Sequence, residues 1–407
     1  MKKLLSILCA AVLLATLVIT CVSCGGSSVS ADFKVGAILI GDENEGYTYA
    51  HINGIRTAAK ELGMSDDQII WKYTVPEDEK CYDAAIDLVE QGCSVIFSNS
   101  YGHQSHMKQA AQECPDVTFV AMTGDQAATS GLSNYKNAFT GVYQSRYVAG
   151  VVAGMKLAEL VADGKLTDAN YDGDNIKLGY VGAYPYAEVV SGFTAYYLGV
   201  KSVVENVTMQ VTYTNSWFDI TAEGTVAEAL AADGCVIISQ HADSTGAPAA
   251  VQALQDKGQV IYCVGYNVDM LSVAPNAALT SPTNTWAVYY KYAMETAANG
   301  GTIDTNWAKG YEADAVGITA LGSACAAGTQ EKVDEVVKGL KDGSIKVFDT
   351  SKFTVGGTTL TEYLADGDGD FAPDTNAIWD GYFHESEMRS APYFDIRIDG
   401  IVENNNN

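Results

Sequence analysis

The chain has 407 residues, 47% of them hydrophobic, so it is long enough to bury a large core and to form two domains. It carries 24 basic against 50 acidic residues, a formal net charge of −26. This balance argues against nucleic-acid binding, which needs Lys and Arg to contact phosphates. We interpret the charge as one that keeps an exported protein soluble.

The N-terminal segment has the pattern of an export signal. Two lysines precede an apolar run that ends near Ile19, and a Gly/Ser-rich stretch follows Cys24. The pattern resembles a bacterial lipoprotein signal peptide, which implies removal of residues 1–23 and lipidation of Cys24, with Cys21 as a weaker candidate. An uncleaved anchor is the alternative, since the run is nearly long enough to span a bilayer. We expect 24–32 to be a flexible tether and the protein to be held by lipid alone on the extracytoplasmic face of the cell membrane.

A buried strand, a polar loop and a helix follow one another at the start of the remaining chain. The apolar run Val35 to Ile40 is short enough for a strand that is covered on both faces. A polar loop, 42–47, precedes a helix with one apolar face that stops at Gly63. Such a loop leaves the carboxyl end of a strand, where open α/β sheets bind ligands.

The same succession repeats along the chain, which predicts an α/β fold with parallel sheets. A polar stretch, 162–175, separates two series and indicates two lobes. Small residues in the helix 147–160 predict close packing, and the tail has strand-like runs that end in 393–398. Further strands are predicted at 95–97, 117–121, 177–181, 208–213, 235–239, 260–264 and 311–319.

Five motifs occur in order in the central part of the chain. They are Phe139–Gly154, Ile176–Phe193, Tyr213–Asp219, Val264–Asp269 and Leu279–Ser281. Together they resemble the basic membrane lipoprotein (BMP, PnrA-like) family of ABC-transporter substrate-binding proteins, whose best-known members bind purine nucleosides. The resemblance implies a type I periplasmic-binding-protein fold, in which two Rossmann-like lobes are joined by hinge crossings and enclose a ligand.

The resemblance also implies a division of the chain and a set of partners. We expect an N-terminal lobe from 33–140 plus about 283–330, and a C-terminal lobe from 141–280 plus part of the tail 331–403. A monomer would bind a nucleoside-like small molecule and deliver it to an ABC permease of the membrane. Presentation of the ligand to a membrane sensor, or a non-nucleoside ligand such as a sugar, remains an alternative.

Candidate ligand contacts come from loops at strand ends. By resemblance, Tyr47 and Trp217 occupy the positions of two rings that sandwich the base, and Asp269 that of a ligand-binding Asp. Core packing is the alternative for the two rings, and a helix N-cap for Asp269. Further candidates in such loops are Asn44, Glu45, Tyr101, His103, His241, Asp243, Tyr266 and Asn284.

The chain also departs from the family pattern. Pro282-Thr-Asn284 stands where many members continue with a Lys that reaches the ligand, Gln144 replaces a Glu, and the first loop lacks the family's Asp-Lys-Ser-Phe-Asn. The lost cation and the altered loop are expected to change the hydrogen bonds to the ligand.

No motif indicates catalysis, a cofactor or a metal. The acidic run Asp366–Asp370 copies the start of an EF-hand loop but lacks its Gly and Glu, so we interpret it as a solvated turn. His103 and His106 lack further zinc ligands. GxSxG, P-loop and GxGxxG motifs are absent, so a nucleoside hydrolase is disfavoured. Three cysteines adjoin or lie within apolar strands, where a free thiol behaves as a small hydrophobic group: Cys93, Cys235 and Cys263.

Overall fold

The structure of the protein is a computed structural model that describes residues 29–404. The predicted signal peptide, the lipidation candidate Cys24 and the first residues of the predicted tether lie outside the described residues. Within the described range, no helix is both long and apolar enough to cross a membrane. Because the residues on which they depend lie outside the described range, export and lipid anchoring stay predictions.

The described chain alternates strands and helices over most of its length. The strands are β1 (Val35–Ile38), β2 (Ile69–Lys72), β3 (Val95–Ser98), β4 (Thr118–Met122), β5 (Tyr135–Thr140), β6 (Tyr171–Asp172), β7 (Asn175–Gly182), β8 (Val207–Tyr213), β9 (Ile237–His241), β10 (Tyr262–Val264), β11 (Pro282–Asn284), β12 (Asn306–Lys309), β13 (Val316–Ile318), β14 (Leu364–Ala365), β15 (Thr375–Asn376), β16 (Ile378–Trp379), β17 (Tyr382–Phe383) and β18 (Ile401–Glu403). The helices are α1 (Gly46–Glu61), α2 (Glu79–Glu90), α3 (Gln104–Glu113), α4 (Val142–Ala162), α5 (Ala187–Lys201), α6 (Ile220–Ala232), α7 (Gly246–Asp256), α8 (Trp286–Ala298) and α9 (Thr329–Lys341).

The first sheet has the strand order β12-β5-β4-β3-β1-β2, and all of its pairs are parallel. Strands β1 and β3 are buried along their whole length, which suits apolar strands covered on both faces by helices. Strand β12 joins the sheet beside β5, although it comes much later in the chain. The first lobe is therefore completed by a distant segment.

The second sheet has the order β10-β9-β7-β8-β18 with parallel pairing, and β6 lies antiparallel to β7. Strand β18 pairs with β8, with Ile401 opposite Met209. Between residues 29 and 404 the chain passes from one sheet to the other after β5, after β10 and after β12. The predicted α/β class with two parallel sheets is confirmed, and the predicted lobe boundaries stay a prediction.

Helices α4 and α5 pack with their backbones in close approach. A Cβ atom at Gly150 would lie 2.1 Å from the carbonyl oxygen of Tyr196, and one at Gly199 would lie 2.1 Å from the carbonyl oxygen of Tyr147. No side chain fits at either position, so glycine is required there. The predicted close packing of this small-residue helix is confirmed.

Parts of the predicted secondary structure are wrong. The predicted strand 311–319 is a 3-10 turn at Tyr311–Ala313 followed by β13, because Asp314 adopts a left-handed conformation with φ of 55°. The predicted run 393–398 is mostly buried but forms no strand, and the last strand is β18. Strand β2 has no counterpart among the predicted strands, because it lies at the edge of the sheet with only Ile69 buried and so lacks the apolar run of a strand that is covered on both faces.

The tail after β13 contacts both lobes. Helix α9 packs against α4, and β18 completes the second sheet. On the side of the first lobe, the Arg389 guanidinium lies 2.8 Å from an Asp366 carboxylate oxygen and 3.6 Å from one of Asp125, which follows β4. The tail is therefore an integral part of the fold.

Candidate ligand-binding site

A cavity of about 430 Å³ lies between the two sheets. Its lining comes from segments at or after the carboxyl ends of β1 to β4 in the first sheet and β7 to β10 in the second. This edge of a parallel sheet is where open α/β folds bind ligands, and the volume suits a small molecule. The lining residues are Ile40, Gly41, Asp42, Asn44, Glu45, Tyr47, Thr74, Glu77, Asn99, Ser100, Tyr101, Thr123, Tyr184, Glu188, Ser216, Trp217, Phe218, His241, Asp243 and Tyr266.

Tyr47 presents its ring from the first turn of α1. Its hydroxyl donates a hydrogen bond to the carbonyl oxygen of Asn99 at 2.7 Å, which ties α1 to the loop after β3. Behind it, His51 lies edge-on to the Tyr47 ring with centroids 4.6 Å apart, and His51 in turn stacks on Trp286 at 4.3 Å. Burial lowers the pKa of His51 to about 3, so this support is a neutral imidazole. The Tyr47 ring is therefore fixed from behind and partly exposed to the cavity.

Trp217 belongs to a group of aromatic side chains on the second sheet. It packs against Tyr184, which stacks on Tyr186 with centroids 5.1 Å apart. The turn that carries it contains Asn215 in a left-handed conformation with φ of 57°. The carbonyl oxygen of Trp217 accepts a hydrogen bond from the Asp243 backbone N–H at 2.8 Å, so the loops after β8 and β9 are joined.

Two acidic side chains line the second-sheet side of the cavity, the buried Asp243 and the half-buried Glu188. Burial raises the pKa of Glu188 to about 7 although nearby Arg146 lowers it, and burial together with Glu45, Glu223 and Glu188 raises the pKa of Asp243 well above its usual range. Burial and the charge of Arg146 keep the pKa of His241 well below its usual range. The cavity therefore combines carboxyl groups with a neutral imidazole.

A fully buried arginine lies behind the second-sheet side of the cavity, called here the wall, which includes Glu188, His241, Asp243 and Tyr266. The guanidinium carbon of Arg146, in α4, is 3.8 Å from the centre of the Tyr266 ring. Its Nη1 donates to the Tyr180 hydroxyl at 2.9 Å and to the carbonyl oxygen of Gln240, while Nε and Nη2 have no hydrogen-bond partner in the described chain. Arg146 does not itself line the cavity.

The model of the PnrA-like ABC transporter substrate-binding proteins (Bmp) matches residues 40–350. The chain belongs to this family. A purine-binding protein of Brucella abortus (strain 2308) is 32% identical over 267 residues, 65% of this chain and 69% of that protein. A putative ABC transporter glucose-binding protein of Haloferax volcanii is 28% identical over 68% of this chain and 64% of its own length.

Solved structures agree on the fold. The ABC-transporter solute-binding protein of Aeropyrum pernix K1 superposes with a TM-score of 0.63 at 16% identity, covering 78% of this chain and 93% of that one. At this identity the likeness shows the fold alone. The predicted periplasmic-binding-protein fold and the predicted family are confirmed.

This PnrA-like protein brings most of the predicted contacts to one cavity. Those that line it are Asn44, Glu45, Tyr47, Tyr101, Trp217, His241, Asp243 and Tyr266. His103 does not, because it is buried with Nε2 2.9 Å from the carbonyl oxygen of Val75. Asp269 is exposed outside the cavity and accepts a hydrogen bond from the Leu271 N–H at 2.8 Å, which is an Asx turn; residues 271–277 form turns, so Asp269 does not cap a helix.

Asn284 lies at a crossing between the lobes and does not line the cavity. Its side chain bonds to the Thr140 hydroxyl and donates to Asn267 Oδ1 at 2.9 Å. Asn267 in turn donates to Asp243 Oδ1 at 3.0 Å. Asn284 is therefore connected to the cavity through Asn267, a residue of the loop after β10 whose side chain contacts Asp243.

Other residues of the site were not among the candidates. Glu188 and Glu77 contribute carboxylates, Tyr184 a ring, and Thr123 a hydroxyl with no hydrogen-bond partner in the described chain. Each follows a strand of the parallel sheets, so its position in the chain was the available signal. Arg146 could have been recognised as a functional candidate because it is a charged residue in a helix that consists largely of small and apolar residues.

The acidic run 366–370 forms a hydrogen-bonded turn. Asp366 Oδ1 accepts from the Gly369 N–H at 2.8 Å, and Phe371 adopts a left-handed φ of 69°. Carboxylate oxygens of Asp366, Asp368 and Asp370 lie within 4.8 Å of one another. Arg389 already pairs with Asp366.

The cysteines of the described chain are all free, and of these only Cys263 lies within a strand.

Proposed function

We propose that this PnrA-like protein is a monomeric, lipid-anchored receptor that binds a purine nucleoside and delivers it to an ABC permease. The observation that carries the proposal is that Tyr47 and Trp217, from different sheets, line one cavity. Two aromatic side chains on opposite lobes suit a flat base, since ring faces stack in offset or edge-on geometry. The purine-binding relative supports the same class of ligand.

Polar groups of the cavity suit the remaining parts of a nucleoside. Asp243 and Glu45 supply carboxylate acceptors for hydroxyl or amino groups, and Asn99 and Ser100 add polar side chains from the first lobe. Few, well-placed polar groups among aromatic side chains are the usual basis of small-molecule specificity. We infer that ligand contacts to both lobes draw them together, and that the closed form docks on the permease.

The test is a thermal-shift screen of the mature, unlipidated protein against nucleosides, nucleobases, sugars and amino acids. A ligand that binds only the native state raises the melting temperature. We expect a shift with inosine, guanosine or adenosine that disappears in Tyr47→Ala and in Trp217→Ala. Tyr49→Ala, on the same helix, and Trp379→Ala serve as matched controls because both side chains are exposed and lie outside the cavity.

A sugar is the second candidate ligand, favoured by the putative glucose-binding relative. Aromatic faces and carboxylates also suit sugar rings, so the same screen decides between the two classes. A shift with a sugar and none with nucleosides would retain the receptor and refute the nucleoside.

A further inference from the structure

The cavity has a one-sided charge. Among the described residues that line it, carboxylates come from Asp42, Glu45, Glu77, Glu188 and Asp243, and none is Lys or Arg. Neither Glu45 nor Asp243 forms an ion pair with a Lys or Arg of the described chain. Asp243 is buried, and a buried carboxylate without a cationic partner is costly, so it favours a ligand that supplies the missing charge.

The protein's own cation does not fill this role. Arg146 lies behind Tyr266, and its Nη1 already bonds to Tyr180 and to Gln240. The imidazole of His241, 3.3 Å from Glu188, is kept neutral by burial and by Arg146, which both lower its pKa. A single positive charge, that of Arg146, therefore lies near several carboxyl groups of the cavity.

The aromatic lining favours the same kind of ligand. Tyr47, Tyr101, Tyr184, Trp217, Phe218 and Tyr266 contribute rings. The face of an aromatic ring attracts a cation, and cages of such rings recognise methylated ammonium groups. Independently, Thr123 faces this cavity, is 5% exposed, and has a hydroxyl without a hydrogen-bond partner in the described chain, as expected of a group that waits for a ligand.

We propose that the ligand of this cavity is cationic, a purine nucleoside whose base carries a positive charge, as N-methylated purine nucleosides do. The inference rests on the proposed nucleoside receptor and adds the charge of its ligand. Carboxylates on both lobes and the surrounding rings replace the hydration of the cation.

Binding of such a cation releases protons. Without it, burial raises the pKa of Glu188 to about 7, so part of this carboxyl group is protonated at neutral pH, and burial also raises the pKa values of Asp243 and Glu45. The groups that act on them are Asp42, Glu223, Arg146 and the neutral His241. A cationic ligand favours their ionised forms. Its affinity therefore falls as pH drops below 7, by about tenfold per pH unit for each proton released.

The test uses three nucleosides in isothermal titration calorimetry with the mature, unlipidated protein. Adenosine is neutral, 1-methyladenosine is cationic at neutral pH, and 1-methylinosine is neutral with its methyl group at the same ring position. We expect 1-methyladenosine to bind about tenfold or more tightly than 1-methylinosine at pH 7.5. We expect proton release with 1-methyladenosine alone, measured in two buffers of different ionisation enthalpy.

Charge-neutral variants give a second measurement. Glu188→Gln and Asp243→Asn should reduce the preference for 1-methyladenosine over 1-methylinosine, whereas Glu90→Gln, on the exposed end of α2, should retain it. Proton release by the unaltered protein keeps the proposal testable if a variant fails to fold. Equal or tighter binding of the neutral nucleosides would overturn the cationic ligand and leave the nucleoside receptor standing. Absence of binding by all three would overturn the cationic ligand, and if inosine and guanosine also gave no thermal shift, the nucleoside receptor would be overturned as well.

Discussion

Arg146 stacks on Tyr266, with its guanidinium carbon 3.8 Å from the centre of the ring. One face of Tyr266 thus meets a positive charge of the protein, while the residue also lines the cavity. The charge acts through this wall on Glu188 and Asp243, whose pKa values it lowers against the larger effect of burial. None of the described residues that line the cavity is Lys or Arg, and Arg146 itself does not reach the cavity.

Arg146→Met should destabilise the protein and alter the cavity carboxyls. The Tyr180 hydroxyl and the Gln240 carbonyl would lose a charged donor in a buried place, at a cost of about 3 kcal/mol in the free energy of unfolding. The pKa of Glu188 should rise further, measured by carbon NMR of labelled Glu. Arg56→Met is the control, because Arg56 forms an exposed ion pair with Glu43, and should cost less than about 1 kcal/mol. A Glu188 pKa that is unchanged in Arg146→Met would contradict the prediction that the charge of Arg146 lowers it.

The stability of the protein should depend on His51 at acidic pH. Its pKa is about 3 in the fold against 6.5 for the ordinary side chain, so only the unfolded chain takes up this proton between those values. The contribution of His51 is therefore complete above pH 6.5 and is lost as pH falls toward 3. Urea unfolding at pH 7 and pH 5 should show a loss of about 2 kcal/mol that His51→Phe does not share. Glu188 and Glu223, whose pKa values burial raises to about 7, change stability in the opposite direction, but they do so equally in the unaltered protein and in His51→Phe. The same change in unfolding free energy for both proteins would refute the prediction for His51.

Asn284 and Thr140 should behave as one unit. The Thr140 hydroxyl bonds to Asn284, which donates to Asn267 and so reaches Asp243. Asn284→Ala should cost about 1–3 kcal/mol of unfolding free energy, because buried polar partners remain. In a double-mutant cycle, Thr140→Val should add less in the Asn284→Ala background than alone. Additive costs would show that the two side chains do not interact.

Lipidation should depend on Cys24. Cells that express the full chain and are fed a labelled fatty acid should incorporate it into the protein, and Cys24→Ser should abolish both the label and membrane association. Cys21→Ser is the matched control, since this residue lies in the part of the chain predicted to be removed. Loss of label with Cys21→Ser and not with Cys24→Ser would move the modification to Cys21.

The sequence predicted the architecture and the location of the site because both follow from local patterns. Apolar runs followed by polar loops identified the strand ends that carry Tyr47 and Trp217, and parallel strands bring such ends to one edge. The family resemblance implied that about 283–330 joins the first lobe and part of the tail the second, but no local pattern predicted that β12 and β18 pair at the edges of the sheets.

The direction of a side chain within a loop could not be predicted from the sequence either. Asn267 and Asp269 are two residues apart, and the left-handed conformation of Asn267, with φ of 61°, turns its side chain toward Asp243 while Asp269 faces solvent. Backbone turns of this kind are not visible in residue spacing. Glu188 was overlooked for a different reason, since acids are common in the first turn of any helix.

Completion of the second sheet by β18 fixes the order in which the molecule matures. Synthesis proceeds from the N-terminus, and β8 is made 192 residues before the strand that covers its outer edge. Until β18 has paired, β8 presents a bare edge that can pair with other chains. A variant that lacks residues 401–403 should therefore leave this edge uncovered and aggregate more readily than the full chain.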